Sequence, residues 1–350
     1  MRCPFVVSCL FLLLTACSSV RTFVVEIQEP ATIMSPVKTQ NVIVLNNAVP
    51  QPPNQSVFRK YRQEDYSAHP VEFDTMSWVA AHKIADVLSE SGFFENVEVY
   101  TQPIRKDNDF LARNNLSEDV VTDFLTDLDY DMIVSIDRLI FSIEESVQPV
   151  VRGSEKGIKN VNLMVQGLLS CGTYIKNSHA PLTSFNVADS LAYGLYFEGD
   201  SIETFKSFPE SMAEVLAGFL GEETANRFIP SWTETERVLY TSGSARMKEA
   251  NSYANAENWD EATALWKSLL GQKNKAIDKA KLSSNLAVAC EMKEKFPEAL
   301  QWAEQSQTHF KEAGSSTSQE ESEWIQSYIT VLKKRIADNK VLDKQWGIAE

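Results

Sequence analysis

Four histidines, His69, His82, His179 and His309, are the first places to seek proton transfer or metal ligation. Imidazole titrates near neutrality and is the commonest metal ligand. None of the four stands at a ligand spacing from a cysteine or another histidine. His82 and Asp86 lie four apart on an expected helix, the spacing of a surface pair as well as of half a catalytic set. Asp127, Asp129 and Asp131 flank a helix end but lack the glycine and distal glutamate of a calcium loop, so they read as a solvated acidic turn. Ser142, Glu144 and Glu145 follow a strand end, where open sheets carry their sites, yet they form no chemical set. There is no G-x-S-x-G, no H-E-x-x-H and no phosphate-cradling glycine loop. The expectation is no catalytic residue, no metal and no cofactor.

The residue with a definite chemistry is Cys17. Arg2 and an apolar run from Pro4 to Leu14 precede it, too short for a membrane span and suited to a signal-peptide core. Leu14-Thr15-Ala16-Cys17 then resembles the bacterial lipobox. That resemblance implies cleavage before Cys17 and its conversion to a diacylglycerol-bearing, N-acylated first residue. Several acyl chains, at about 0.8 kcal/mol per buried methylene, anchor a protein stably. The residues after it, Ser18-Ser19-Val20-Arg21, lack the acidic cluster of a surface-export signal, so an outer-membrane protein facing the periplasm is expected. Once the signal is removed and Cys17 acylated, only Cys171 and Cys290 keep free thiols. Two distant cysteines form no disulfide framework and are expected to be small buried residues.

Composition narrows the partners. The 350 residues carry 33 basic and 48 acidic side chains, a formal net charge of -15. Nucleic acid needs a basic face, so it is excluded as a partner. Hydrophobic residues at 43% place the chain among ordinary globular proteins, long enough for two domains.

The elements that must position any site follow. A signal peptide covers 1–16 and a tether 17–40, with one strand at Phe23–Ile27. From 41 to 232 the pattern reads as a mixed-sheet α/β or α+β domain. Its strands are expected at Val42–Leu45, Val97–Tyr100, Met132–Ile136, Val161–Lys176 and Thr183–Tyr196. Its helices are expected at Met76–Ser91, Ser117–Leu128 and Glu210–Phe228. A linker at 233–243 leads to an all-α tail at 244–350.

Two stretches of the first domain, LSESGFFENVEV (88–99) and FLTDLDYDMIVSI (124–136), resemble a recurrent arrangement in curli-secretion lipoproteins and in activator lipoproteins of penicillin-binding proteins. That resemblance implies a fold and leaves function open. In the tail, Ala250, Tyr253, Trp259, Ala262 and Trp266 align with Ala287, Cys290, Phe296, Ala299 and Ala303 at a constant offset of 37 residues. Ala250, Ala262, Ala287 and Ala299 let antiparallel helices approach, and Tyr253, Trp259 and Trp266 fill the space between successive pairs, which resembles the tetratricopeptide repeat. The whole chain, with the junction Arg227-Phe-Ile-Pro-Ser-Trp232, Arg237 and Tyr240, resembles an uncharacterised family of Bacteroides-type lipoproteins that join such a domain to such a tail.

That family brings no known activity. The chain itself reads as a non-enzymatic envelope scaffold or adaptor that holds a partner through its repeat tail. The alternative is an assembly or regulatory subunit acting through the α/β domain, with an enzyme on that domain as a third reading. By the repeat register, Met247, Asn251, Lys281, Asn285 and Val288 are expected to line a groove for a segment of an envelope protein or peptide. The two asparagines have a second reading, satisfying neighbouring backbone. Finally, Asp-Ser/Thr-apolar triplets at Thr75, Ser190 and Ser201 resemble O-glycosylation sites, or serve as caps and turns.

Overall fold

The computed structural model describes residues 20–348, apart from 36–38, 54–56, 62–63, 67–70, 103, 106, 114, 150–157, 177–179, 199–207 and 274. The chain forms two compact units. One is Pro30–Ser231; the other joins the N-terminal segment through Glu29 to Trp232–Glu350.

In the Pro30–Ser231 unit, β2 (Asn41–Asn46) runs parallel to β5 (Asn96–Tyr100) on one side and to β6 (Met132–Pro149) on the other. Its continuous apolar run has a direct cause. Val42 and Val44 enter a core with α1 (Met76–Glu90) and α3 (Phe208–Ala225), while Ile43 and Leu45 enter a second core with α2 (Glu118–Leu128). Alternate residues of a strand point to opposite faces, and here both faces are covered. The helices α1 and α3 cross closely: a Cβ on Gly221 would stand 2.6 Å from the Ala80 carbonyl oxygen.

β6 is far longer than the expected 132–136. Past β2 the same edge takes a second parallel strand, β3 (Val57–Tyr61), paired from Ile143 to Val147. A short antiparallel strand, β4 (Glu64–Tyr66), follows β3. Between the two partners the edge is closed by a side chain. Gln51 accepts the Phe141 N–H at 2.7 Å and donates to its carbonyl at 3.0 Å, so a buried amide stands in for a missing strand residue. The other edge of β6 pairs antiparallel with β7 (Ile158–Ile175), which pairs with β8 (Thr183–Glu198).

The helical region from Ala245 to Gln345 holds five helices: α4 (Ala245–Asn255), α5 (Trp259–Leu270), α6 (Ala276–Met292), α7 (Phe296–Ala313) and α8 (Ser316–Gln345). Consecutive helices pack as hairpins. The expected tether and linker are not free connections. β1 (Val20–Glu29) and β9 (Ser231–Tyr240) pair as a two-stranded sheet and belong to the helical unit.

Candidate functional site

The two hairpins α4–α5 and α6–α7 repeat one turn geometry. Glu257 and Glu294, 37 residues apart, both adopt left-handed backbone, with φ of 60° and 58°. Behind them, Asn258 N–H bonds to the Tyr253 carbonyl and Lys295 N–H to the Cys290 carbonyl, each at 2.9 Å. The aligned residues Ala250 and Ala287, Ala262 and Ala299, Trp266 and Ala303 are all fully buried.

The residues expected to line a groove are occupied within the unit. Asn285 accepts the Tyr240 N–H at 2.8 Å and donates to the Tyr240 carbonyl at 2.9 Å. Asn251 donates to the same carbonyl at 3.3 Å. Both asparagines are buried, as are Met247 and Val288, and the Lys281 ammonium lies 5.5 Å from the centre of the Tyr240 ring. Asn251, Lys281 and Asn285 thus converge on Tyr240 at the end of β9, and the second reading of the asparagines, holding neighbouring backbone, matches their geometry.

Alongside lies a charged lock that the sequence did not reveal. Arg237 of β9 donates through two nitrogens to the buried Glu291 carboxylate, each at 2.7 Å. Tyr328 donates to Glu291 at 2.6 Å, and Arg335 also pairs with it. Burial pushes the Glu291 carboxyl up, but the hydrogen bonds and charge of Arg237, with the Tyr328 hydrogen bond and the Arg335 charge, together outweigh it and hold the group below the usual range. Burial drives the Tyr240 and Tyr328 hydroxyls upward. The cluster therefore fixes these charges in place.

At the turn end of the hairpins a cleft of about 390 Å³ lies between β1 and both turns. Phe23 stacks on Trp259 at 6.1 Å, and Arg21 lies 5.6 Å over Phe23 while donating to Asn255. Glu26, Glu257 and Glu294 also line the cleft.

In the α/β unit, the register of β6 slips between Ile136 and Arg138, leaving Asp137 as the extra residue of a β-bulge. Its side chain is buried at the carboxyl ends of the parallel strands. Ser135 donates to one oxygen at 2.7 Å, and the Arg113 Nε stands 3.5 Å from the other. Arg105 donates to the Asp137 carbonyl at 3.2 Å, and its N–H bonds the Asn47 side chain. Burial raises the Asp137 carboxyl to about 6, against the lowering by Ser135 and Arg113.

The remaining candidates fall as follows. Asp131 accepts the N–H groups of Gln40 and Asn41, both at 2.8 Å, and so fixes the start of β2. Asp129 ends α2 in the left-handed region. His82 lies beside Trp78, and His309 pairs with Glu312 at 2.9 Å. Cys171 and Cys290 are free and buried, as expected, and burial pushes the Cys171 thiol up to about 12. Thr75 is exposed at the N-cap of α1 without a capping hydrogen bond, and Ser190 is exposed on β8. Cys17, His69, His179 and Ser201 lie outside the described residues. Among the described residues, no group of three or more His, Cys, Asp or Glu side chains is placed to hold a metal ion. No described helix is long and apolar enough to cross a membrane.

Residues 39–240 match the family described as Domain of unknown function (DUF8603). The chain belongs to that family. The DUF8603 match ends at Tyr240, the last residue of β9, and so takes in the strand whose end the two asparagines hold. Residues 248–334 match a second family, Domain of unknown function (DUF6340), from α4 into α8. No curated protein matches the chain. Two solved structures are similar at a TM-score of 0.25 each. A neuraminyllactose-binding hemagglutinin homolog from Helicobacter pylori is 8% identical, with 55% of this chain and 92% of that one covered. The hypothetical protein CT253 from Chlamydia trachomatis is 13% identical, with 54% and 95% covered.

Proposed function

We propose that this chain is a lipid-anchored envelope protein, held at the outer membrane by acylated Cys17 on the periplasmic side. It works there as a non-enzymatic scaffold or adaptor whose hairpins are tetratricopeptide-like. The observation that carries this reading is the repeat geometry: the left-handed turns at Glu257 and Glu294 and the buried alanines all recur at 37 residues. With Asn251 and Asn285 taken by the end of β9, an envelope protein or peptide docks on the outward faces of α5 and α7. Photo-crosslinkers at exposed Ala264 and Gln305 should capture one discrete envelope protein in living cells. Crosslinks from the α/β unit alone would overturn the adaptor assignment. Thr75 and Ser190 are open to O-glycosylation, and intact mass reads both that and acylation.

A second reading has its own support. α3 leaves Val215 and Phe219 about half exposed, one turn apart, on a helix whose opposite face is packed and whose exposed side also carries Glu210, Glu214 and Glu223. In that reading the α/β unit contacts a secretion or cell-wall machine. Replacing both residues by serine would then abolish the crosslinks.

A further inference from the structure

The position of β1 fixes which end of the helical unit a lipid on Cys17 would hold. Only Ser18 and Ser19 separate Cys17 from the first residue of β1, a reach of roughly 10 Å. Just beyond, β1 is tied down: Arg21 bonds Asn255, the last residue of α4, and Phe23 stacks on Trp259, the first of α5. The turns at Glu257 and Glu294 line one cleft with this part of β1. Both hairpin turns and the start of β1 therefore share one end of the unit.

The long helix α8 reaches the same end. Arg335 lies 4.5 Å over the ring of Phe296, the first residue of α7, so residue 335 is level with the α6–α7 turn. α8 runs back along α7, then continues ten residues to Gln345, roughly 15 Å further. At its tip Trp346 is 45% exposed and Ile348 76% exposed. Tryptophan favours the boundary between water and lipid, where its ring is half apolar and its N–H stays wet. At the opposite end, the turns after α5 and α7 lie a helix length away, about 18 to 27 Å.

We propose that this end of the helical unit is a membrane-facing surface. The bilayer meets the hairpin turns and the α8 tip, and Trp346 and Ile348 enter the lipid interface. This rests on the acylation of Cys17. The anchor holds the unit close, because β1 leaves no tether of the length expected from sequence.

The test uses the full-length acylated protein in phosphatidylethanolamine–phosphatidylglycerol vesicles that carry a headgroup nitroxide. A small fluorophore is attached in turn at Glu257→Cys, Ile348→Cys, Gln272→Cys and Glu312→Cys. Quenching at 257 and 348 should exceed that at 272 and 312 at least twofold. Intact mass on the same samples reports the lipid. If Cys17 is acylated and quenching is uniform or reversed, the surface assignment falls alone. If Cys17 is unmodified, the anchor and the surface fall together.

Discussion

At the scale of single residues, the two units carry buried carboxylates with opposite pH behaviour. Asp137 has its pKa raised from 3.8 to about 6, chiefly by burial. The native state therefore holds its proton more tightly than the unfolded chain, and stability declines as pH rises from about 4 to 6. The difference between those two values corresponds to about 3 kcal/mol. Asp137→Asn should remove that slope, seen as urea midpoints of the α/β unit that no longer fall between pH 4.5 and 7. Glu291 is the reverse case, lowered by Arg237 despite its burial. Its contribution is present above the ordinary glutamate range and lost as pH falls through its depressed native value. Glu291→Gln should cost the helical unit about 3–5 kcal/mol at pH 7, because Arg237 is left buried without its counter-charge. Thermal melts followed by tail fluorescence would show the loss.

At the scale of elements, local signals located most of the fold. The run Val42–Leu45 predicted a strand covered on both faces, and the two cores confirm it. The helices α1, α2 and α3 were legible from their apolar spacing to within a few residues. β9 was missed, since Ser-Trp-Thr-Glu-Thr-Glu-Arg is polar and its partner β1 lies about two hundred residues upstream. β3 and β4 were missed for a similar reason: Phe-Arg-Lys-Tyr and Glu-Asp-Tyr carry little apolar pattern. The candidate site was legible in residue type only. Asn251 and Asn285 stood out as a pair by the repeat register, but what they hold, the Tyr240 backbone, is nonlocal. Turn strain gives a prediction at this scale. Glu294 adopts a left-handed conformation that costs a side-chain-bearing residue about 1 kcal/mol and costs glycine almost nothing. Glu294→Gly should stabilise the tail by up to that amount in denaturant titrations, partly offset by added freedom in the unfolded chain.

At the scale of the whole molecule, the chain crosses between the units twice, at Glu29 and at Ser231. The α/β unit is thus an insertion between β1 and β9. Within it, Ile33 N–H and the Thr32 hydroxyl both donate to the Arg227 carbonyl, at 2.8 and 3.2 Å, so its entry and exit lie side by side. Replacing 30–231 by a short Gly/Ser linker should leave a folded helical unit, checked by a cooperative melt with helical circular dichroism. A linear, non-cooperative melt would show that the insertion is needed for stability. The insertion also sets an order of events in time. β1 is synthesised first, and its partner follows about two hundred residues later. Closing so long a loop in an unfolded chain is entropically unfavourable. Once the inserted unit has folded, its clasped ends bring β1 and β9 together and shorten that search to a few residues. In refolding, the helical unit should therefore finish late, with a rate that tracks folding of the insertion.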